Sequence, residues 1–367
     1  MKNTYNINIL DISKLPTPSE IKSEYPLTSK AADTVLAGRE QIEKILARRD
    51  DRHLIIVGPC SVHNVDDALT YAERLRCLAD QVRNRILLIM RVYFEKPRTS
   101  LGWKGLIYDP GLDNSANITL GLRLARKIML EIASMGVLTA TELLDPVIPQ
   151  YITDLLCWAA IGARTAESQT HRQMASGLSM PIGIKNSTDG NVNIAIDAIK
   201  TAASPHAFIG ITEEGQVAVF HTRGNGFAHL VLRGGQNRPN YGTEHIAFAR
   251  ELMRKGGHVP NIIVDCGHDN SRKQAERQTE VMREIMQQIL AGNRDIVGTM
   301  LESNLVGGRQ DIPEDLRDLR AGVSITDPCL GWEETEALIR RVYEVLGDPH
   351  GTCFSESNST AWIPWPD

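Results

Sequence analysis

The 367-residue chain lacks several features that mark particular classes of protein. Its six cysteines include no CxxC pair, and a chain of this size does not need disulfides to fold, so we interpret them as reduced thiols. No apolar run reaches the roughly 18 residues that a membrane-spanning helix requires. The first twenty residues show neither the basic start nor the apolar stretch of a secretory signal, which favours a cytoplasmic location.

A strong charge of one sign is also lacking. Lys and Arg number 40 against 45 Asp and Glu, which gives a net charge of -5 without a basic block. This balance argues against nucleic acid or an anionic membrane as a partner. With 42% hydrophobic and 23% charged residues, the composition is typical of a globular protein with a large core. We therefore expect any site for anionic ligands to be built locally, in a pocket.

Eight short, mostly apolar segments alternate with stretches of helical periodicity. They comprise residues 53–59, 86–93, 136–143, 159–164, 180–186, 229–234, 262–268 and 296–303. Continuous apolar runs are typical of strands that are buried on both faces of a parallel sheet. Eight strand and helix units predict an α/β fold, the (β/α)8 TIM barrel, which needs about 250 residues.

We assign the surplus length to additions. Residues 1–50 form a predicted N-terminal extension with a helix near residues 31–47, and residues 348–367 a C-terminal tail, so the barrel domain spans 51–347. Residues 207–222 alternate in polarity around Glu213-Glu214-Gly215, which predicts an inserted β-hairpin. Ser271 is expected to cap the helix that carries Val281 and Ile285.

Charged residues close most of the predicted strands. Because the active site of a TIM barrel lies at the C-terminal ends of its strands, these side chains should converge. Burying several cations together is costly unless anions offset them, which points to phosphate and carboxylate groups on ligands. The alternative is that each cation forms only a structural ion pair. The cations are Arg91, Lys96, Arg98, Arg164, Lys185 and Arg233, and Glu142 closes the third strand.

The remaining strand ends carry potential metal ligands. Cys60, His268 and Glu302 close the first, seventh and eighth strands, and Asp327 follows in the loop before the last helix. Thiolate, imidazole and carboxylate groups suit one divalent ion such as Mn, Fe, Co or Zn better than they suit Mg or Ca. A cysteine at a strand end is more often a small buried apolar residue, and that alternative stays open at this point.

Six motifs occur in a characteristic order. They are GPCSVHN at Gly58, RVYFEKPRTS at Arg91, IGART at Ile161, RGG at Arg233, VDCGHDNS at Val264 and SITDPCLGWEET at Ser324. Together they resemble the type I 3-deoxy-D-arabino-heptulosonate 7-phosphate (DAHP) synthases. The resemblance implies condensation of phosphoenolpyruvate with erythrose 4-phosphate and water, with release of phosphate. This reaction is the first step of the shikimate pathway to aromatic amino acids.

The resemblance also implies roles for individual residues. Phosphoenolpyruvate would be bound by Arg91, Lys96, Arg164, Lys185 and Arg233, and the phosphate of erythrose 4-phosphate by Arg98 and Thr99. The implied ligands of one divalent metal ion are Cys60, His268, Glu302 and Asp327. The candidates for proton transfer are Lys96, Lys185 and Glu142.

The family's feedback site for an aromatic amino acid is implied as well. It would include Pro149, Gln150, Ser179, Phe208 and Gly210. Gly210 is similar to the tyrosine-sensitive members, and the missing side chain is expected to leave room for a tyrosine hydroxyl. The alternative is an ordinary hairpin packed on the barrel. Because the family is commonly oligomeric, we expect a homodimer or a homotetramer.

Three other functions stay open. Barrel enzymes that make 3-deoxy-D-manno-octulosonate 8-phosphate have related strand-end chemistry, but they normally lack the long extension and the KPRT motif. A Schiff-base aldolase would use Lys185 as a neutral amine with a depressed pKa. A non-catalytic regulator that binds an aromatic amino acid would keep the pocket without turnover.

Overall fold

The computed structural model describes residues 4–98, 100–236 and 238–347. Thr99, which the resemblance places at the erythrose 4-phosphate site, lies outside the described residues, as does the predicted tail at 348–367. The division of the chain at residues 50 and 347 stays a prediction.

Eight of the ten described strands form a closed parallel barrel in the order β1-β10-β9-β8-β5-β4-β3-β2. β1 pairs with β2 on one side and with β10 on the other, which closes the sheet. The TIM-barrel prediction is therefore confirmed, and each of the eight apolar segments overlaps one barrel strand. The strands are β1 (His53–Gly58), β2 (Ile86–Arg91), β3 (Thr139–Glu142), β4 (Trp158–Ile161), β5 (Ile182–Lys185), β6 (Ala207–Ile211), β7 (Val217–His221), β8 (Ala228–Leu232), β9 (Ile262–Asp265) and β10 (Ile296–Glu302).

Helices alternate with the strands and cover the barrel. Every residue of β1, β2 and β10 is buried, because the helices cover the outer face and side chains fill the interior. The helices are α1 (Pro18–Glu24), α2 (Ser29–Leu46), α3 (Val65–Val82), α4 (Ile118–Ser134), α5 (Pro149–Ile152), α6 (Gln169–Gly177), α7 (Val192–Ala202), α8 (Thr243–Lys255), α9 (Arg277–Leu290) and α10 (Trp332–Val345).

The expected cap at Ser271 is wrong. α9 begins six residues later, at Arg277, and the Ser271 hydroxyl donates to the His268 carbonyl oxygen instead. On either side of Ser271, His268, Arg272 and Lys273 have φ values of 53°, 53° and 60°. A right-handed helix cannot pass through left-handed backbone, so the chain forms turns here before α9 starts.

The N-terminal extension packs along the barrel through α2. Gly38 makes this approach possible, since a Cβ at this position would lie 2.7 Å from Leu138 Cδ2 and 2.8 Å from Cys157 Sγ. The Arg39 guanidinium donates to the carbonyl oxygens of Thr153 and Leu156, just before β4. The α2 part of the extension is thus packed against the barrel.

The inserted hairpin forms as expected from the alternation. β6 and β7 pair in antiparallel register between α7 and β8, with Phe208 opposite Phe220. α1 holds the hairpin turn, because the Ser19 N–H donates to the Glu213 carbonyl oxygen at 2.8 Å and Lys22 Nζ lies 2.6 Å from the Glu213 carboxylate. Among the described helices, none is both long and apolar enough to cross a lipid bilayer.

Candidate active site

A cavity of about 490 Å³ lies at the C-terminal ends of the barrel strands. The parallel register places these ends side by side, so that Gly58 of β1 lies next to Glu302 of β10. Residues from loops far apart in sequence therefore face one space. Of the residues singled out by sequence, those lining it are Lys96, Arg98, Glu142, Arg164, Lys185, Arg233, His268, Glu302 and Asp327.

Carboxylates of the protein accompany several of these cations. Arg233 Nη1 lies 2.6 Å from Asp269 Oδ2, and Lys96 Nζ lies 3.8 Å from Asp327 Oδ2. From sequence, Glu142 was the acid named beside these cations, and the structure adds Asp269 and Asp327. The loop after β9 and the loop before α10 supply further acids, which hold the cations in place before any ligand binds.

Arg91 lies beneath the cavity and is completely buried. Its Nη2 lies 3.2 Å from Glu302 Oε1, and its guanidinium carbon lies 4.1 Å from the centroid of the Tyr93 ring. Its Nη1 has no hydrogen-bond partner among the described residues. Arg91 is therefore placed to orient Glu302 from below and to supply positive charge at short range.

Lys185 and Glu142 form a buried ion pair, with Nζ 3.0 Å from Oε2. Burial by itself lowers the pKa of Lys185, but Glu142, Tyr93 and Asp265 outweigh it, so the pKa is raised above its usual range. Burial raises the pKa of Glu142, whereas Lys185 and Lys96 lower it by more. Both groups are thus charged at neutral pH, which disfavours Lys185 as the neutral amine of a Schiff-base aldolase.

Cys60, Glu302 and Asp327 form a cluster that could hold a metal ion. One ligand atom from each residue lies within 4.8 Å of the others. Burial and the Glu302 carboxylate raise the pKa of the Cys60 thiol, although Lys96 Nζ, 3.0 Å from the sulfur, lowers it. A buried thiol among carboxylates gains from a cation that displaces its proton, so the donor set fits a divalent ion.

His268 stands at the edge of this cluster. Its Nε2 lies 4.0 Å from Glu302 Oε1, and its Nδ1 lies 3.0 Å from Asp265 Oδ2. A metal-binding histidine commonly faces the ion with one ring nitrogen and a carboxylate with the other. The structure therefore groups three of the four residues that the sequence singled out as potential ligands, Cys60, Glu302 and Asp327, and places the fourth, His268, 4.0 Å from Glu302.

Arg98 lines the cavity from the loop after β2 and is exposed to solvent. Lys273, which the sequence analysis did not single out, lines the same cavity from the loop after β9. Both cations are available to a ligand at the mouth, above the buried pair of Lys185 and Glu142.

Sequence reasoning missed Tyr93, Asp265 and Asp269. The centroid of the Tyr93 ring lies 4.1 Å from the guanidinium carbon of Arg91 and 5.7 Å from Lys185 Nζ, so the ring face contacts two cations. Asp265 and Asp269 flank His268 within the motif VDCGHD. The signal that could have found Asp265 is its position, because it ends the apolar run of β9 as Glu142 ends that of β3.

The residues implied for an effector lie in three places. Pro149 and Gln150 begin α5, Ser179 follows α6, and Phe208 lies on β6 beside Gly210. The N-terminal segment contacts two of these places. The Tyr151 hydroxyl of α5 donates to the Pro16 carbonyl oxygen at 2.8 Å, and the Ser19 N–H donates to the Glu213 carbonyl oxygen in the hairpin turn.

A side chain at Gly210 would press against an aromatic pair on the hairpin. Phe208 and Phe220 stack with centroids 5.7 Å apart, and a Cβ at Gly210 would lie 3.0 Å from Phe220 Cδ2. Glycine therefore suits this position because it leaves the Phe220 ring in place. That the missing side chain makes room for a tyrosine hydroxyl stays a prediction.

Known proteins resemble this chain over nearly its whole length. The model of the DAHP synthetase I family matches residues 24–340. The tyrosine-sensitive phospho-2-dehydro-3-deoxyheptonate aldolase of Escherichia coli (strain K12) is 48% identical over 341 residues, which cover 93% of this chain and 96% of that protein. The phenylalanine-sensitive enzyme of the same strain is 47% identical over 337 residues, which cover 92% of this chain and 96% of that protein.

The fold agrees with a solved structure. The phospho-2-dehydro-3-deoxyheptonate aldolase from Francisella tularensis SCHU S4 superposes with a TM-score of 0.91 at 44% sequence identity. The match covers 93% of this chain and 99% of that one. Overall identity separates the tyrosine-sensitive relative from the phenylalanine-sensitive one by a single percentage point, so it does not select an effector.

Proposed function

Because the chain belongs to the DAHP synthetase I family, we propose that it condenses phosphoenolpyruvate with D-erythrose 4-phosphate and water. The products are 3-deoxy-D-arabino-heptulosonate 7-phosphate and inorganic phosphate. The observation that carries the proposal is the single cavity in which Lys96, Arg164, Lys185 and Arg233 lie beside His268, Glu302 and Asp327. A cavity of about 490 Å³ with this charge suits two small phosphorylated anions.

The wall cations would bind phosphoenolpyruvate. Arginine binds carboxylate and phosphate oxygens in pairs, and Lys185 offers a compact charge. Asp269 and Glu142 hold Arg233 and Lys185 before the substrate arrives, so little side-chain ordering is left for the binding step. Arg91 contributes from below. We assign the phosphate of erythrose 4-phosphate to Arg98, together with Thr99.

Cys60, His268, Glu302 and Asp327 would hold one divalent ion, and their donor atoms favour Mn, Fe, Co or Zn. Such an ion, when bound, supplies Lewis-acid polarisation of the erythrose 4-phosphate aldehyde. The thiol of Cys60 must lose its proton on ligation, so metal uptake should release a proton.

The condensation joins C3 of phosphoenolpyruvate to the aldehyde carbon. Water adds at C2, and the bond between C2 and the bridging oxygen then breaks to release phosphate. The water supplies the proton that the aldehyde oxygen gains and the one that leaves with phosphate. Lys96, Lys185 and Glu142 are the proton donors and acceptors on the cavity wall, and the cations offset the repulsion between the two substrates.

Phosphate release provides the test. We expect release from phosphoenolpyruvate only when erythrose 4-phosphate is present, loss after chelation, and recovery when a divalent ion is returned. Cys60→Ser should weaken metal binding by at least about tenfold. Cys77→Ser, a change at an exposed cysteine, is the matched control and should behave as the unmodified protein. Full activity after chelation, or an unchanged metal affinity in Cys60→Ser, would contradict the metal centre.

Borohydride distinguishes the Schiff-base alternative. Reduction in the presence of substrate should leave no covalent adduct on Lys185 by mass spectrometry, because this lysine is held as an ammonium by Glu142. Arabinose 5-phosphate should replace erythrose 4-phosphate poorly, which separates the proposed reaction from octulosonate 8-phosphate synthesis.

We propose tyrosine as the feedback effector, bound near Pro149, Gln150, Ser179, Phe208 and Gly210. The similarity of the hairpin at Gly210 to tyrosine-sensitive members supports this choice. Titration calorimetry should detect tyrosine binding, with phenylalanine and tryptophan as the comparisons. Absence of heat with all three would remove the proposal.

We further propose a homodimer or homotetramer. Apolar side chains of the N-terminal segment are exposed, including Ile7, Leu10 and Ile12, and so are Ile209 and Val219 on the outer face of the hairpin. Association of copies would bury these surfaces. Light scattering after gel filtration measures the mass, and Ile209→Asp should shift it toward the monomer.

A further inference from the structure

Asp265 is a fully buried carboxylate that contacts both a potential metal ligand and a substrate-binding lysine of the cavity. Its Oδ2 lies 3.0 Å from His268 Nδ1 and 3.5 Å from Lys185 Nζ. Its Oδ1 accepts the Gly267 N–H at 3.1 Å. One oxygen therefore faces a potential metal ligand on one side and a substrate-binding cation on the other.

The first contact determines which nitrogen of His268 is available. His268 Nδ1 and Asp265 Oδ2 are close but not aligned as a regular hydrogen bond, and neither has a hydrogen-bond partner elsewhere among the described residues. A carboxylate beside Nδ1 favours the tautomer with its proton there, which leaves the lone pair on Nε2. That nitrogen lies 4.0 Å from Glu302 Oε1, at the metal cluster.

The backbone supports the same orientation. His268 has a φ of 53°, which is uncommon for a residue other than glycine. The Lys273 N–H donates to the His268 carbonyl oxygen at 2.8 Å and helps to hold this conformation. The strained turn carries the imidazole back toward Asp265, three residues earlier, instead of letting it continue along the strand direction.

The second contact holds Lys185. Its ammonium lies between Glu142, at 3.0 Å, and Asp265, at 3.5 Å, and its side chain is 2% exposed. Glu142 on β3 and Asp265 on β9 thus fix the position of the Lys185 ammonium at the cavity wall.

We propose that Asp265 is a positioning residue that turns His268 toward the metal site and anchors Lys185 in the substrate pocket through one shared oxygen. Metal binding and phosphoenolpyruvate binding are thereby coupled. Bound metal raises the affinity for phosphoenolpyruvate, and bound phosphoenolpyruvate raises the affinity for the metal by the same factor. This inference rests on the proposed function and on its metal ligands.

Asp265→Asn tests the proposal, because it keeps the shape and removes the charge. The affinity for cobalt should fall by about 10–100-fold. Calorimetry measures this affinity, and so does the absorption band of the cobalt–thiolate bond. Bound cobalt should raise the phosphoenolpyruvate affinity of the unmodified protein, and this increase should be lost in the variant. Cys266→Ser is the matched control on the same strand end and should leave the metal affinity within about twofold.

A second measurement does not depend on the folding of a variant. In the unmodified protein loaded with zinc and labelled with ¹⁵N-histidine, His268 should bind the ion through Nε2 and keep its proton on Nδ1. Coordination through Nδ1 would overturn the inference even if Asp265→Asn were insoluble.

The outcomes separate the inference from its premise. If the unmodified protein binds no divalent ion, or if Cys60→Ser binds it equally well, the proposed metal centre fails. If Cys60→Ser loses the ion while Asp265→Asn retains full affinity and full coupling, the metal centre stands and only the role of Asp265 is overturned.

Discussion

Removing the ammonium of Lys185 should destabilise the fold as well as disable the site. Lys185→Met leaves Glu142 and Asp265, both buried, without the cation that lies 3.0 Å and 3.5 Å from them. Breaking a buried ion pair from one side costs about 3–5 kcal/mol. With an unfolding entropy of about 2.1 cal/mol/K per residue, this loss corresponds to a fall in Tm of roughly 4–6 °C.

A second substitution separates the charge from the packing. In the Lys185→Met background, Glu142→Gln removes one stranded carboxylate, so the double variant should recover most of the lost stability and remain inactive. Calorimetric unfolding of the metal-free protein gives the Tm, and phosphate release gives the activity. A Tm within about 1 °C of the unmodified protein for Lys185→Met alone would refute the reasoning, because the two buried carboxylates would then be tolerated without the Lys185 ammonium.

Three further predictions concern residues near the cavity and the hairpin. Burial raises the pKa of the Glu95 carboxyl from 4.5 to about 8, so the folded state keeps a proton that the unfolded state loses. Stability should therefore fall as the pH rises from about 5 to about 8, by up to about 1.4 kcal/mol per pH unit, and Glu95→Gln should flatten this slope in thermal unfolding. Tyr93→Leu should destabilise the protein by about 2 kcal/mol more than Tyr93→Phe, since only phenylalanine retains the ring beneath Arg91 and Lys185. Gly210→Ser should displace the Phe220 ring, which a Cβ would approach to 3.0 Å, and weaken tyrosine inhibition without changing uninhibited turnover.

Each of these has its own contrary result. If stability depended on pH equally in Glu95→Gln and in the unmodified protein, a group other than Glu95 would hold the proton. Equal stability of the two Tyr93 variants would show that the ring face does not stabilise the cations. Tyrosine inhibition unaffected by Gly210→Ser would remove the hairpin from the effector site.

The chemistry of the cavity could be anticipated because its main residues either end a buried strand, as Glu142, Lys185 and Glu302 do, or lie in the loops that follow the strand ends. Lys185 closes an apolar run and Glu142 closes another, and a parallel barrel brings such ends together whatever their separation along the chain. The contact partners could not be read in the same way. Asp269 lies one residue beyond His268 in a loop, and no periodicity relates it to Arg233, which it contacts at 2.6 Å.

Local backbone explains the error at Ser271. The expected cap failed because left-handed residues interrupt the approach to α9, and side-chain type alone does not encode that conformation. The contact that a side chain at Gly210 would make with Phe220 of the opposite strand could not be predicted either, because alternation of polarity does not identify the ring that faces a given position.

The amino-acid sequence by itself determined the barrel, its inserted hairpin and the kinds of side chain at each strand end, because hydrophobic periodicity and strand polarity are local properties of the chain. Only the tertiary structure decided which carboxylate meets which cation and which imidazole nitrogen faces the cluster at Cys60. These pairings depend on distances of 3–4 Å between separate loops, and such distances are set by the closure of the barrel and by the packing of the loops above it.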